Sequence, residues 1–543
     1  MTPSPALTRT AQLLRLGQRR FDVLVIGGGI TGAGIAREAA RRGLDVALVE
    51  RDDFASGTSS RSSRLVHGGV RYLEHGHLRL VFEACHERRA LLAMAPHLVH
   101  PLRFTWPVYE GARIPRWKLR AGLLLYDLLA LFRNVAPHRG LSARDIAEAE
   151  PLLAREGLTG GAQYFDAATD DARLTLATML DAAVSGATVL NHADVTALRW
   201  DGNRVCGVTV HDRLGGRMLE ISASCVVNAT GPWTDLVRRM EDPSAAPAVL
   251  GSKGVHIAVP AARVGNRGAI TLLAADGRVM FVLPAGPCTV IGTTETETHE
   301  TPDTVRASRA DVDYLLASAN RAFPAAQLTN DDVIAAWAGI RPLAARAHAG
   351  DANSASREHL IETGRGGVIT VTGGKLTTFR VIARDVIVAV FRSLARRLPK
   401  ARADDVPLAG GDVPDLGAEI SAARAATGAA DIADWLVRAY GSAWHQVWAR
   451  TEDDASLATR LVANLPYIAS EVVHAVDAEF ACTLADVLVR RTHLAFETRD
   501  HGRSVAPRVA ALMAPRLGWT DRGAEMAQME YANEVSRIFA VTP

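Results

Sequence analysis

The stretch VLVIGGGITGAGIAREAARRGLDVALVE, from Val23 to Glu50, is the feature that most constrains the fold. A short β-branched strand runs into a glycine turn, a helix of small residues follows, and a second apolar strand ends in an acid. In such a unit Gly27 permits the tight turn, Gly29 admits a pyrophosphate against the backbone, and Gly32 lets the helix pack on the sheet. Unpaired N–H groups at the helix N-terminus attract the phosphates. The pattern predicts an α/β fold with a Rossmann-like dinucleotide site.

Glu50 follows the glycines by about twenty residues, where an acid contacts the ribose of a bound dinucleotide. Its carboxylate can accept hydrogen bonds from the ribose hydroxyls and disfavours a 2′-phosphate, which argues against NADP. The glycines alone are also compatible with a turn that binds nothing. The strand, the helix, the second strand and the terminal acid together favour a dinucleotide.

Three later features favour FAD over NAD. The loop RDDFASGTSSRSSRLVHGGVRYLEHG offers hydroxyls and backbone N–H groups to an extended cofactor. CVVNATGPW and VITVTGGKLTTFR each read as an apolar strand that ends in a glycine turn, so distant strand tips are expected to converge on one long ligand. The predicted cofactor-binding residues are Gly27, Gly29, Gly32, Glu50, Ser59, Ser60, His67, Gly68, Gly69, Gly231, Gly373, Gly374, Leu376 and Thr377.

Composition excludes several classes of function. Basic side chains number 61 and acidic ones 59, so no net field gathers nucleic acid, and we expect no nucleic-acid partner. Five isolated cysteines lack the two-residue spacing of metal and redox sites, which predicts reduced packing residues and no metal. No run approaches the roughly eighteen apolar residues that a membrane span needs.

The chain of 543 residues is too long for one hydrophobic core. Because the glycine turns lie far apart in sequence but serve one site, we expect the cofactor domain to be discontinuous. After a segment rich in Pro, Gly and charge, the composition changes to alanine-rich helical periodicity. The predicted division is an FAD-binding domain of residues 20–95, 185–245 and 345–395, a mixed-sheet substrate domain of residues 96–184 and 246–344, and a C-terminal α-helical domain of residues 400–543.

The segment RIPRWKLRAGLLLYDLLALFR, from Arg113 to Arg133, predicts an unusually apolar helix. Four basic residues and Trp117 precede an apolar stretch that only Asp127 interrupts, and a fifth basic residue, Arg133, ends the segment. Two interpretations stay open, a helix packed between domains and a helix that lies in a membrane interface.

Several motifs together carry a family resemblance. IGGGITGAGIAREAARRG, TSSRSSRLVHGGVRYLEHG, DDARL, VNATGPW, KGVHI, VIGTTETE, GIRPL and TGGKLTTFR occur in the order and at about the separations of FAD-dependent glycerol-3-phosphate dehydrogenases. Those enzymes are membrane-associated, have a D-amino acid oxidase-like fold and feed electrons to quinone. The similarity runs from about Phe21 to Arg380, and FACTLADVLVRRTHLAF resembles the C-terminal domain of the family. Two residues depart from the family pattern, since Glu38 replaces the usual Asp and Phe379 replaces the usual Tyr.

The resemblance implies oxidation of sn-glycerol 3-phosphate to dihydroxyacetone phosphate by hydride transfer to FAD, with a quinone as the final acceptor. It also implies a cytoplasmic protein held peripherally at the inner face of the cell membrane. Such a site must remove a hydroxyl proton and cradle a phosphate dianion. The resemblance places an active-site histidine at His256, and we expect its imidazole to titrate near its ordinary pKa.

For the cationic cradle, arginine matches phosphate through its planar fork and lysine acts as a point charge. Lys375 follows a glycine turn at a predicted helix N-terminus, an unfavourable place for a cation unless an anion is near. Arg341 can also polarise the developing alkoxide. The predicted catalytic residues are His256, Arg341 and Lys375, and the predicted substrate-binding residues are Arg71, Tyr72, Arg357 and Lys375.

Alternatives remain open from the sequence alone. The same reaction could use oxygen as acceptor, and an amine- or amino-acid-oxidising flavoprotein shares the fold but needs fewer cations. A flavin-binding regulator without turnover is a third alternative, which His256 and Arg341 argue against. The sequence leaves open whether the protein forms a homodimer.

Overall fold

The computed structural model describes residues 8–274, 276–345, 359–400 and 406–543. Within them the strands are β1 (Arg20–Ile26), β2 (Val46–Val49), β3 (Leu65–Val66), β4 (Val99–Tyr109), β5 (Arg139–Leu141), β6 (Leu158–Thr169), β7 (Thr188–Leu190), β8 (Ala193–Asp201), β9 (Arg204–Asp212), β10 (Arg217–Asn228), β11 (Val249–Pro260), β12 (Ala269–Leu273), β13 (Val279–Ala285), β14 (Cys288–Gly292), β15 (Thr296–Glu297), β16 (Ala335–Ala344), β17 (Leu360–Thr363) and β18 (Ile369–Thr372).

The α-helices of the same described residues are α1 (Arg9–Gln18), α2 (Ile30–Arg41), α3 (Leu78–Met94), α4 (Arg116–Leu129), α5 (Ala143–Ala149), α6 (Asp171–Val184), α7 (Thr234–Glu241), α8 (Ala261–Val264), α9 (Arg309–Ala322), α10 (Phe379–Ser393), α11 (Leu416–Thr427), α12 (Ala430–Tyr440), α13 (Trp444–Asp453), α14 (Ala469–Ala478), α15 (Leu494–Glu497), α16 (Ala506–Leu517) and α17 (Asp521–Phe539).

The first sheet contains the glycine-rich unit. Its strand order is β17-β18-β10-β1-β2-β7, and β8 and β9 extend it from β10. Strand β1 is parallel to both β2 and β10, so the carboxyl ends of three strands from distant parts of the sequence meet at one edge. Helices α2, α6 and α10 bury their apolar residues against one face of this sheet. That edge is where doubly wound sheets bind ligands.

The second sheet is mixed and supplies the opposite wall of the site. Its strand order is β15-β11-β14-β13-β12-β4-β6-β3, with β16 paired to β11 and β5 paired to β6. Strand β11 pairs antiparallel with the whole length of β16, which sets His256 opposite Trp337 and Ser252 opposite Arg341.

Two elements lie outside the domain boundaries predicted from the sequence. Helix α6, assigned to the substrate domain, packs with α2 in the core of the first sheet, because Leu176 and Met179 complete that apolar layer. Strand β3, assigned to the FAD-binding domain, pairs with β6 of the second sheet. The chain therefore passes between the two sheets more often than the predicted domain boundaries imply.

The C-terminal helices share a core with the second sheet rather than standing apart from it. One hydrophobic cluster includes Tyr126 of α4, Trp337 of β16, Val472 of α14 and Phe496 of α15. The rings of Trp337 and Phe496 meet edge to face with centroids 5.0 Å apart. The helical region thus packs directly behind residues of the second sheet that reach the site.

Candidate active site at the junction of the two sheets

The glycine turn after β1 has no room for side chains. Gly27 has a φ of +107°, and a Cβ there would lie 2.6 Å from the carbonyl oxygen of Ala229. A Cβ on Gly32 would lie 1.9 Å from the carbonyl oxygen of Gly27, so only glycine lets α2 approach the turn this closely. Gly29 caps α2 and lines the cavity next to it. Gly27 and Gly32 are therefore required because a side chain would collide with the backbone, and Gly29 lies at the cavity wall.

Glu50 ends β2 beside this turn. Its Oε2 accepts a hydrogen bond of 2.6 Å from the Gly28 amide, and its Oε1 accepts one of 2.9 Å from the Asp52 amide. Burial, reinforced by the charge of Asp52, raises the pKa of Glu50 to about 7. The carboxyl group is thus held rigidly at the cavity wall.

A cavity of about 620 Å³ runs between the two sheets. The predicted cofactor-binding residues that line it are Gly27, Gly29, Glu50, Ser59, His67, Gly231, Gly373, Gly374, Leu376 and Thr377. Gly32, Ser60, Gly68 and Gly69 are not among its lining residues. A Cβ on Gly68 would lie 2.2 Å from the hydroxyl of Tyr126, so this residue serves the packing behind the cavity.

The residues of this cavity fit FAD. A carboxyl group for the ribose stands at one end, and the N-terminus of α2 stands where a pyrophosphate would be attracted. Hydroxyl groups from Ser56, Thr58, Ser59 and Ser63 line the wall that follows. Glu50 follows β2 and Lys375 follows β18, three places apart in the strand order of the first sheet, so the cavity that both line suits an extended ligand.

Tyr72 lies against two of the predicted cations. The Nζ of Lys375 lies 3.5 Å from the centroid of the Tyr72 ring, and the guanidinium carbon of Arg71 lies 5.6 Å from it. Both distances fall within the range of cation–π attraction. Arg71 also forms an ion pair with Glu295, with 3.7 Å between Nη1 and Oε2. Arg357, also predicted to bind substrate, lies outside the described residues.

Arg341 lies where the large cavity adjoins a second one of about 100 Å³. Its Nη2 donates a hydrogen bond of 2.9 Å to the Thr293 hydroxyl. A Cβ on Gly254 would lie 2.6 Å from the same Nη2, so glycine is needed there to admit the guanidinium. The two cavities share Ser63, Leu65, His67, Tyr72 and Arg341 as lining residues. Arg341 and Lys375, both predicted to be catalytic, are therefore brought to one cavity.

His256 is buried on β11, and its Nε2 lies 2.9 Å from the Ser63 Oγ. Its ring stacks on Trp337, with centroids 5.6 Å apart. The expectation that this histidine titrates near its ordinary pKa is wrong. Burial, together with the nearby charges of Arg341 and Arg64, lowers the pKa of His256 to about 3. The imidazole is consequently neutral throughout the physiological pH range.

Sequence reasoning missed three residues that complete the site. Ser63 reaches His256 from the hydroxyl-rich loop, Gly254 makes room for Arg341, and Trp337 supports His256. The glycine in KGVHI was a signal for close approach that could have been followed. Nothing in the local sequence indicates the partners of Ser63 or Trp337, since both contacts depend on tertiary pairing.

Helix α4 and the turn after it expose an apolar surface. Leu119, Leu123 and Tyr126 are buried against the second sheet. The opposite side and the following turn expose a set that we call the α4 surface, namely Trp117, Leu124, Leu128, Leu131 and Phe132. Trp117 is 72% exposed and Phe132 is 61% exposed, so neither large apolar side chain is covered by the rest of the described chain. No helix in the described part of the chain is both long and apolar enough to cross a bilayer.

Comparisons with known proteins agree with this architecture. Residues 22–380 match the family of FAD dependent oxidoreductases, and residues 401–524 match the C-terminal domain of alpha-glycerophosphate oxidase. Glycerol-3-phosphate dehydrogenase 2 of Mycobacterium bovis is 39% identical, over 97% of this chain and 89% of that one. The mitochondrial glycerol-3-phosphate dehydrogenase of Macaca fascicularis is 38% identical, over 97% of this chain and 75% of that one.

Among solved structures, the glycerol-3-phosphate dehydrogenase of Bacillus halodurans complexed with FAD superimposes with a TM-score of 0.81. It is 32% identical and covers 99% of this chain and 98% of its own. These findings confirm the predicted fold class and the prediction that the cofactor is FAD.

Proposed function

Because the chain belongs to the family of FAD-dependent glycerol-3-phosphate dehydrogenases, we propose that it oxidises sn-glycerol 3-phosphate to dihydroxyacetone phosphate and passes the electrons to a membrane quinone. The observation that carries the proposal is that three cations, Arg71, Arg341 and Lys375, and the neutral His256 line the large and small cavities where these adjoin. This end of the site offers what a phosphorylated alcohol requires, namely fixed positive charge and a proton acceptor.

Bound FAD supplies a hydride acceptor to this site. The residues that would hold it are the glycine turn after β1, the carboxyl group of Glu50 and the hydroxyl-rich loop that follows. Gly373 and Gly374, at the end of β18, would border its other end.

The phosphate dianion is assigned to Arg71 and Lys375, which both contact the ring of Tyr72. Arginine offers a planar fork of donors and lysine a compact charge, so the two together suit a phosphate dianion. The carboxylate of Glu295 already pairs with Arg71. An entering phosphate competes with that carboxylate, so part of the binding energy is spent in replacing it.

Removal of the hydroxyl proton is assigned to His256 and Ser63. Ser63 lines both cavities, and His256, although buried, lines the large one beside it. The low pKa of His256 keeps the imidazole unprotonated before the reaction, but it also makes the ring a weak base, so proton transfer to it has to accompany departure of the hydride. Negative charge that develops on the substrate oxygen near Arg341 offsets one of the two positive charges that add to burial in lowering this pKa, which favours proton uptake during the reaction.

The exposed apolar residues of the α4 surface support a membrane-bound acceptor. Arg116, Lys118 and Arg120 accompany Trp117 at the start of the helix, an arrangement typical of interfacial helices near anionic lipid. We assign this face to peripheral contact with the inner leaflet of the cell membrane. A quinone in the bilayer would then have access to the enzyme from that side.

Reductive titration followed by reoxidation tests the proposal. Under anaerobic conditions, glycerol 3-phosphate should bleach the flavin absorbance of the holoenzyme, and a soluble quinone should restore it faster than oxygen does. Faster return with oxygen would instead support the oxidase alternative. Bleaching by sarcosine or D-alanine, but not by glycerol 3-phosphate, would overturn the assignment of substrate.

A further inference from the structure

The loop that follows Glu50 has two sides with different roles. Asp52 and Ser56 line the FAD cavity, whereas Asp53 between them points away from it and is fully buried. Its Oδ2 accepts hydrogen bonds of 2.6 Å from Arg490 Nε and of 2.6 Å from Arg491 Nη1. Its Oδ1 accepts a bond of 3.0 Å from Arg491 Nη2. The carboxylate is thus held by two arginines more than 400 residues away along the chain.

Both arginines belong to the π-helical turn Asp486–Arg491 of the C-terminal region. Asp486 accepts a hydrogen bond of 2.8 Å from Arg490 Nη2 and lies 3.0 Å from His192 Nε2. Ligand atoms of Asp53, His192 and Asp486 lie within 4.8 Å of one another. The arginines that occupy these carboxylates already neutralise them, so the cluster is an ion-pair network rather than a metal site.

A second set of contacts ties the same loop to the same region. The Asn191 amide donates to Asp53 Oδ1 at 3.0 Å and to the Phe480 carbonyl at 2.9 Å, so it bridges the two. The rings of Phe54 and Phe480 meet edge to face with centroids 5.7 Å apart. The Ala55 amide, which follows them, donates to the Gly28 carbonyl of the glycine turn. Displacement of Asp53 would therefore disturb the turn that receives the pyrophosphate.

We infer that the C-terminal turn Asp486–Arg491 positions the FAD-binding loop through Asp53, and that Arg490 and Arg491 are positioning residues for the cofactor. Neither arginine lines the cavity, so their effect reaches FAD only through the loop. A buried carboxylate that loses its partners must move toward solvent or take up a proton, and either change shifts the backbone from Asp52 to Ser56.

The affinity of the apoprotein for FAD tests this inference. Asp53→Asn and Arg491→Gln should each weaken FAD binding at least tenfold, as measured by flavin fluorescence during reconstitution. At saturating FAD the KM for glycerol 3-phosphate should change by less than threefold, because the substrate cations lie at the other end of the cavity.

Glu479→Gln is the matched control. The side chain of Glu479 forms a buried bidentate pair with Arg173 of helix α6, at 2.7 and 2.9 Å, and does not bind the loop. Its backbone carbonyl accepts hydrogen bonds from Arg491, and Glu479→Gln leaves that carbonyl in place. This variant should lower the melting temperature by as much as Asp53→Asn while leaving the affinity for FAD within twofold. Equal loss of FAD affinity in both variants would overturn the inference, because the cluster would then act on stability alone.

Hydrogen exchange of the wild-type holoenzyme gives a test that needs no variant. Amides of residues 52–56 and of residues 486–491 should become exchangeable together as urea is raised below the unfolding transition. Opening of the loop at lower urea than the C-terminal turn would overturn the inference.

Discussion

The ammonium group of Lys375 lies 3.5 Å from the centroid of the Tyr72 ring, which it meets at the junction of the two cavities. Lys375 follows the glycine turn after β18, and Tyr72 lies in the loop that joins β3 to α3. The contact brings a cation of the first sheet to a loop that packs beside the second. It therefore fixes the place where substrate phosphate is expected.

The ring of Tyr72 should matter more than its hydroxyl. Tyr72→Leu removes the cation–π contact and lets both neighbouring cations move apart, so we expect the KM for glycerol 3-phosphate to rise about tenfold. Tyr72→Phe keeps the ring and should stay within about threefold of wild type. Steady-state kinetics at saturating FAD separates the two variants. Equal effects of Leu and Phe would assign the role to the hydroxyl instead.

Lys375→Met should weaken substrate binding without releasing the cofactor. Loss of one charge-assisted contact to phosphate corresponds to roughly a 10- to 100-fold higher KM. Lys375→Arg retains the charge and serves as the control, with a smaller increase expected. The flavin content of the purified variants should equal that of wild type. Loss of flavin with unchanged KM would contradict the substrate role of Lys375.

His256→Gln and Ser63→Ala should lower kcat rather than raise KM. Removal of a positioned proton acceptor costs about 100-fold or more in rate. His474→Gln is a suitable control, because burial also lowers the pKa of His474, to about 4, and that residue lies outside both cavities. Single-turnover flavin reduction measures the step directly. A wild-type reduction rate in His256→Gln would exclude this histidine as the proton acceptor.

Glu50 predicts a pH dependence of apoprotein stability. Burial raises its pKa from 4.5 to about 7, so its contribution to stability is complete below pH 4.5 and is lost as the pH rises through 7. Glu50→Gln cannot ionise. The free energy of unfolding of wild type, relative to this variant, should therefore fall by about 2 to 3 kcal/mol between pH 4.5 and 8. Urea unfolding across that range measures the difference, and a constant difference would contradict the raised pKa.

The α4 surface predicts apolar contact with lipid. The combined variant Leu124→Ser, Leu128→Ser and Phe132→Ser should bind anionic phospholipid vesicles at least tenfold more weakly, because its exposed apolar area is lost. Sedimentation with the vesicles measures the bound fraction.

The matched control for the α4 surface changes exposed apolar residues elsewhere. Val184→Ser, Leu214→Ser and Met218→Ser remove side chains on the first sheet and α6 that are also exposed, and this variant should bind like wild type. Release of the wild-type protein from the vesicles by high salt alone, without detergent, would argue against an inserted apolar face.

Much of the fold followed from local patterns. The strand, glycine turn, helix and acid between Val23 and Glu50 required a dinucleotide unit, and two more glycine turns indicated FAD. These inferences succeeded because a glycine turn and a parallel strand depend on nearby sequence, where side-chain size and periodicity dominate. The sequence could not predict that β3 joins the second sheet or that α6 packs on the first. Apolar periodicity shows that an element is buried on one face, but not which core that face packs against.

Tertiary structure alone decided the chemistry of the site. The sequence proposed His256 as a base with an ordinary pKa, but burial beside Arg341 and Arg64 lowers that pKa to about 3. Likewise, the sequence could not pair Asp53 with Arg491, because 438 residues separate them along the chain. The sequence determines which residue types are present. Exclusion of solvent and proximity of charges arise only when distant segments pack together. Those two effects set the pKa of a buried side chain and decide which charged group pairs with it.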